Sequence, residues 1–288
     1  MVLIQLKIFQ KLQKKKNHKI ICEYLNKSST NKIKSKFSNS FKLITANNVF
    51  SHSDNLQDMI KNISNLLNND GTYIFEVSYF LDTIKNRVVD YIYHEHLSYH
   101  SIKALVPFLK KEKLYIYDLI KIPTKGGSIR VCCGKNKKKE NKKLIKLMIA
   151  EEKKFGLYKS NIYKLINKEI KNSKDLLKNF ILKEIKKNKE IDFFGYGACA
   201  TGTVLINILG IDKYFKGLIE DNTDKINKFS PNSFLPVSSL IKANKNKNIF
   251  FIIVAWRFEE QILKNIRKIN KKAKIICVKP TLKKIKFL

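Results

Sequence analysis

Three histidines fall within the ten positions Tyr91-Ile92-Tyr93-His94-Glu95-His96-Leu97-Ser98-Tyr99-His100, in a chain that has only five among 288 residues. A fourth, His52, ends the stretch Asn47-Asn48-Val49-Phe50-Ser51-His52, directly after the apolar run at 41–46. Imidazole exchanges protons near neutral pH, and carboxylate and phenol neighbours tune it. With Glu95, Tyr91, Tyr93 and Tyr99 alongside, acid/base chemistry is one reading of the cluster. A strand edge carrying surface histidines is the other. A metal site fits less well. His94 and His96 point the same way only on a strand, the His-Glu-x-x-His spacing of zinc proteases is absent, and no C-x-x-C pair occurs. No residue is assigned as a metal ligand.

The elements that must position these residues follow from periodicity. The run at 41–46 reads as a buried strand with Asn47-Asn48 turning the chain at its carboxyl end, where open parallel sheets bind ligands. Apolar residues at Leu56, Met59, Ile60, Ile63, Leu66 and Leu67 recur at helical spacing, Asn69-Asp70-Gly71 reads as a turn, and 72–77 reads as the next strand. Strand, helix, strand in this order indicates a parallel α/β sheet. A helix at 101–111 capped by Ser101, strands at 114–122 and 128–133, and a turn at 123–127 predict an antiparallel hairpin at the sheet edge. The charge run at 135–143 reads as a solvated linker, and 144–187 as one or two long helices broken at Gly156. Ahead of all this, residues 1–40 are rich in lysine and asparagine, with helical spacing at Ile8, Leu12 and Ile33.

A second α/β unit is predicted from Ile191. A strand leads into Gly195-Tyr196-Gly197-Ala198-Cys199-Ala200-Thr201-Gly202 and then an apolar helix at 203–209. Glycines between a strand and a helix let backbone N–H groups approach a phosphate, and a plain tight turn accounts for them equally well. The strand at 217–222 ends in Glu220 and Asp221, where such folds grip a ribose hydroxyl. Strands at 249–256 and 274–278 complete the unit. The domains are thus 1–134, a helical linker at 135–189, and 190–288.

The formal net charge is +34, from 58 basic and 24 acidic residues. Nearly all of the basicity is lysine, in company with excess Asn and Ile, and these three share A/T-rich codons. With no recognition motif present, nucleic-acid binding is set aside. The positive field still favours an anionic substrate such as a phosphate ester. The five cysteines form no spaced framework, which suits a reducing cytoplasm. The longest apolar run, at 249–256, is too short to span a bilayer, so no membrane partner is expected. The N-terminal residues show no small-residue cleavage site of a secretory signal.

Taken in order, Ala46-Asn47-Asn48-Val49-Phe50-Ser51-His52, Asp70-Gly71, Phe75-Glu76-Val77, Tyr93-His94-Glu95-His96-Leu97-Ser98-Tyr99, Gly126-Gly127-Ser128-Ile129-Arg130, Gly195-Tyr196-Gly197-Ala198 and Ala255-Trp256 resemble the S-adenosylmethionine-dependent C-methyltransferases of nucleotide-activated deoxysugars. The resemblance runs from about Lys19 to the C-terminus. It implies that His96 removes a proton from a sugar carbon next to a ketone, with Tyr93, Glu95 and His52 around it. Asn47 and Asn48 would face S-adenosylmethionine. Gly195, Tyr196, Gly197, Ala198, Gly202, Asp221 and Arg130 would hold the nucleotide sugar. The fold implied is a truncated Rossmann-like methyltransferase sheet, a helical linker and a second Rossmann-like α/β domain. Complete members of that family begin with a cysteine-rich zinc-binding region and a Gly-rich cofactor loop. Here only Cys22 precedes Cys132 and no glycine precedes Gly71, so the sequence looks like an N-terminally truncated member without the zinc site. Three functions stay open: the transferase, a catalytically inactive nucleotide-sugar-binding protein derived from it, or a basic interaction protein with no small-molecule site.

Overall fold

The computed structural model describes residues 2–3, 20–37, 41–243 and 248–288. The helical spacing at Ile8 and Leu12 lies outside them. The chain forms two compact units, one of Met1–Leu81 with Glu95–Phe155, the other of Asp82–His94 with Gly156–Leu288.

In the first unit, β1 (Val2–Leu3) pairs in parallel with β2 (Ile20–Ile21). Helix α1 (Lys27–Lys36) follows, closed by a capping box in which Asn26 and Ser29 bond each other's backbone N–H groups. A four-stranded sheet in the order β3-β4-β6-β5 is built from β3 (Phe41–Asn47), β4 (Leu67–Ser78), β5 (Tyr115–Ile122) and β6 (Ser128–Gly134). β3 and β4 are parallel, and helix α2 (Leu56–Leu66) connects them with Ile60, Ile63 and Leu66 buried. β4 pairs β6, and β6 pairs β5, both antiparallel, so the hairpin lies at the edge as its turn residues predict. Tyr73, Phe75 and Val77 of β4 are at most 1% exposed and centre this core. Helix α3 (Ile102–Lys111) starts on Ser101, whose hydroxyl accepts from the Ala104 N–H. Helix α4 (Lys142–Phe155) completes the unit.

Two local expectations change. Asn69-Asp70-Gly71 is not a turn, because β4 begins directly at Leu67. The parallel register passes from Phe41 opposite Leu67 to Leu43 opposite Thr72, so the intervening residues of β4 are taken up as an irregularity. A Cβ on Gly71 would lie 2.8 Å from the Phe41 carbonyl oxygen, which is why the residue there is glycine. And β3 is not a buried strand, since every one of its residues is half-buried or exposed.

The second unit is a five-stranded, all-parallel sheet in the order β11-β10-β7-β8-β9. Its strands are β7 (Asp192–Tyr196), β8 (Phe215–Ile219), β9 (Val237–Ser238), β10 (Ile249–Ile253) and β11 (Lys274–Cys277). Helices α5 (Ser160–Lys187), α6 (Ala200–Leu209) and α7 (Glu259–Ile269) flank it. Leu177, Ile181, Leu205 and Leu209 pack with Phe193, Phe250 and Ile252 in one buried cluster, and Ile262 and Ile266 pack with Phe251, Ile253 and Ile275 in another. Parallel strands need this double cover, and β10 is buried at all five positions. From β7 the chain winds first to β8 and β9, then returns to β10 and β11 on the other side. The carboxyl ends of β7 and β10 are therefore a topological switch point. The helices of the 135–189 segment divide between the units, α4 falling in the first and α5 in the second.

Candidate active site

The histidine site of the first unit starts where β3 ends. Asn48 turns the chain with φ +53°, its N–H held by the Glu76 carbonyl at 2.8 Å. Asparagine tolerates this left-handed conformation better than most residues. One 3-10 turn, Phe50–His52, follows. Phe50 is fully buried, its ring 4.7 Å from that of Phe75, so the turn is anchored and His52 is left exposed at its end. The Leu97 N–H donates to the Ser51 carbonyl at 2.9 Å and ties the second histidine segment to the first.

The result is that His52 and His96, 44 positions apart in sequence, face each other with ring centroids 5.1 Å apart and planes at 71°. The Tyr99 ring stands edge-on to His96 at 6.4 Å. His96 is half-buried, and Glu95 beside it is exposed. Tyr93 falls in the second unit, its ring 6.2 Å from Tyr91 and 6.1 Å from His94. The ten-residue stretch is thus divided after His94.

His100 is different in kind. It is 6% exposed, its ring tilted against that of Phe50 with centroids 5.1 Å apart, and its Nε2 is 3.1 Å from the Ser98 hydroxyl. Burial lowers its pKa to about 4, so the ring is neutral at physiological pH and serves packing. Arg130 of β6 is bound to Glu76 of β4 at 2.9 Å, and the hydroxyl of Thr124, in the turn between β5 and β6, is 3.4 Å from the same carboxylate. Among the described residues no group of three His, Cys, Asp or Glu could hold a metal ion.

In the second unit, Gly197 directly follows β7 with φ +117°, and a Cβ there would lie 2.4 Å from the Ala255 Cβ. Close approach of the β7 and β10 ends therefore requires glycine whatever the loop binds. Cys199 caps α6, its Sγ accepting from the Gly202 N–H at 3.3 Å. The Ala198 carbonyl accepts from Lys225 Nζ at 3.0 Å. Tyr196 donates its hydroxyl to one Asp221 oxygen at 2.7 Å, and Asn265 Nδ2 donates to the other at 3.1 Å. Burial first, and then the bond to Asp221, push the Tyr196 phenol pKa up.

Sequence reasoning missed the strongest polar cluster of this unit. Asp90 is fully buried and takes Arg257 through two bonds, at 2.9 and 3.0 Å, and the Trp256 indole N–H at 3.0 Å. The guanidinium lies 4.2 Å from the Tyr91 ring centroid and 4.3 Å from that of Trp256. The turn carrying Asp90, Val89–Tyr91, packs on α6. Partners more than 160 positions apart leave no local signal, although Ala255-Trp256 belongs to the motif set.

Residues 123–280 match the model of the C-methyltransferase C-terminal domain. Over 226 residues the chain is 25% identical to the C-methyltransferase NovU of Streptomyces niveus, a match that covers 78% of this chain and 53% of that one. The chain therefore spans about half the length of this curated relative. Among solved structures, an S-adenosylmethionine-dependent methyltransferase from Clostridium acetobutylicum ATCC 824 aligns with 46% of this chain and 73% of its own, at 13% identity and a TM-score of 0.34. The N-methyltransferase NodS from Bradyrhizobium japonicum WM9 aligns with 46% of this chain and 70% of its own, at 12% identity and a TM-score of 0.33.

Proposed function

We propose, from the premise that the chain belongs to the C-methyltransferase family through the C-terminal domain at residues 123–280, that it carries the proton-removing machinery of an S-adenosylmethionine-dependent C-methyltransferase acting on a nucleotide-activated keto-deoxysugar. The observation that carries this reading is the His52–His96 pair at 5.1 Å. A carbon next to a ketone is a weak acid, and removing its proton needs a base that is unprotonated near neutral pH. His96, half-buried beside a second imidazole, takes that proton and the electron pair stays as an enolate. His52 is the adjacent acceptor to which the proton can pass, and Glu95 is the neighbouring polar group in the same unit. Gly195, Tyr196, Gly197, Ala198, Gly202 and Asp221 are the proposed nucleotide-sugar contacts of the second unit. Arg130, engaged with Glu76, is a less direct one.

Asn47 and Asn48 do not make a cofactor site on their own. Asn47 is exposed at the end of β3, and the Asn48 N–H is already bonded to the Glu76 carbonyl. This chain's own residues support proton removal. With the Asn48 N–H already engaged within the unit, a second reading is a nucleotide-sugar-binding protein without transfer. Solvent-deuterium exchange at the carbon next to the ketone separates the two, because it reads the proton step alone and needs no methyl donor. On the first reading the chain exchanges that proton, and His96→Ala slows exchange by about a hundredfold to ten-thousandfold while nucleotide-sugar affinity is nearly unchanged. Binding without any exchange supports the second reading, and exchange at the same rate in His96→Ala removes His96 as the base.

A further inference from the structure

Proton removal next to a ketone moves negative charge onto the ketone oxygen, and a base alone does nothing to stabilise it there. The rim of the sheet that carries the two histidines also carries a lysine. β3 and β4 run parallel, so their carboxyl ends share that rim, and β6, antiparallel to β4, begins there with Ser128 opposite Ser78. The Glu76 carbonyl accepts from the Asn48 N–H at 2.8 Å, in the turn that leads to His52, and its carboxylate is 3.4 Å from the Thr124 hydroxyl. Just past β4, the Tyr79 N–H donates to the Gly127 carbonyl at 3.1 Å, and the Phe80 N–H donates to the His100 carbonyl at 3.0 Å. The segments at 48–52, 95–100 and 123–127 are thus all fastened to one short stretch, 76–80.

Lys125 sits in the third of these segments, with φ +57°, followed by Gly126 at +84° and Gly127 at +125°. Glycine adopts the left-handed conformation without the Cβ clash that lysine meets there. The backbone alone therefore does not call for lysine at this position. Arg130 and the Thr124 hydroxyl take up the Glu76 carboxylate, and among the described residues Lys125 has no carboxylate within ion-pair distance. Its side chain is exposed, yet partial burial lowers the ammonium pKa against the opposing pull of Glu76. Such an ammonium gives up its proton more readily than a fully solvated one, and is the stronger hydrogen-bond donor to a forming oxyanion.

We propose that Lys125 binds the ketone oxygen of the nucleotide sugar and stabilises the enolate that forms when His96 takes the neighbouring carbon-bound proton. The electron pair of the breaking C–H bond becomes the C–C π bond, and the carbonyl π pair moves onto oxygen. The proton rests on His96, Lys125 keeps its own while donating a hydrogen bond, and nothing is oxidised or reduced. The enolate role rests on the reading of His96 as the base, whereas the contact with the ketone oxygen can be read without any reaction.

That contact is tested on the full 288-residue chain by brief acylation of its lysines at about pH 8, with the labelled peptides quantified by mass spectrometry. With a keto-deoxysugar nucleotide at about ten times its Kd, labelling of Lys125 should slow about tenfold. A nucleoside diphosphate without the sugar should leave it unchanged. Lys125→Met should slow solvent-deuterium exchange next to the ketone by about a hundredfold or more, and should change affinity far less, because the oxygen's charge develops only as the proton leaves. Protection by the nucleoside diphosphate alone would assign Lys125 to the phosphates and overturn the proposal. Labelling that ignores both ligands, or wild-type exchange in Lys125→Met, would overturn it as well. Protection by the keto-sugar nucleotide in a chain that exchanges no proton would uphold the ketone contact and sink the reading of His96 as the base.

Discussion

Both units end a parallel strand in a turn that carries the residues of interest, and the two turns are finished in opposite ways. In the first unit Asn47 at the end of β3 and His52 in the following turn are exposed and His96 is half-buried, and among the described residues no strand pairs the outer edge of β3. In the second, Gly197 is pressed against Ala255, and Asp90 is fully buried under Arg257 and Trp256. Accessible imidazoles can meet a substrate and give up stability to do so, because their surroundings are not filled by the chain itself. A buried carboxylate with three hydrogen bonds is committed to its partners and contributes order. The first turn is suited to chemistry and the second to holding a segment of chain in place.

The largest effect that separates them is expected at Asp90. Removing one member of a buried ion pair leaves the other charge uncompensated, so Asp90→Ala should destabilise the second unit by about 3–5 kcal/mol. Trp256 is the chain's only tryptophan, and its indole donates to Asp90, so its fluorescence reports the site directly. Denaturant unfolding followed at this residue should show the loss, with emission shifted to longer wavelength before unfolding begins. His52→Ala in the first unit should leave both signals alone. An Asp90→Ala protein with unchanged midpoint and emission would mean that this turn is no more committed than the other.

A smaller effect distinguishes the two buried or exposed roles among the histidines themselves. The unfolded chain takes up a proton on His100 near pH 6.5 and the folded chain only near 4, because burial disfavours the charged ring. The unfolded state therefore binds more protons between those values, and stability is full above about pH 6.5 and falls as the pH drops toward 4. The loss is about 3 kcal/mol across that window. His100→Gln should be less stable at pH 7 and should lack this part of the slope, as read by unfolding monitored by circular dichroism at several pH values. Carboxylates titrate in the same window, so the difference between the two proteins is the quantity to compare. Parallel curves would mean that His100 is protonated without penalty.

Much of the frame was legible from spacing. The helix joining β3 and β4, the hairpin of β5 and β6, the Ser101 cap and the break at Gly156 all rest on local patterns that tertiary structure did not override. The Asn-Asp-Gly segment was misread because turn residues also suit an irregular strand start, and only the partner strand's register tells the two apart. The apolar run at β3 was read as buried because composition reports what a strand could bury and not what is there to cover it. Of the site, the pairing of His52 with His96 was legible only through the motif set, since the backbone bond from Leu97 to Ser51 that joins them has no sequence signature. Asp90 and Arg257 were not legible at all. Each is an ordinary charged residue until the fold puts one beside the other.

The smallest expected effect tests whether the second turn is wholly committed. Tyr196 and Asn265 take one oxygen each of Asp221, yet Asp221 itself is exposed, so water can replace either partner. Tyr196→Phe removes one hydrogen bond, keeps the ring that packs in the core, and should cost about 0.5–1.5 kcal/mol by the same unfolding measurement. Its consequence for ligand is sharper than its consequence for stability. If Asp221 grips a ribose hydroxyl, the oxygen released by Tyr196→Phe is a better acceptor for that hydroxyl, and nucleotide-sugar affinity in a titration should hold or rise while stability falls. Asp221→Asn in the same background should then lose affinity. A carboxylate that serves only to fasten Tyr196 predicts the opposite pattern, in which both variants lower stability and neither changes binding. That outcome would make the second turn structural throughout and leave the nucleotide to be held elsewhere.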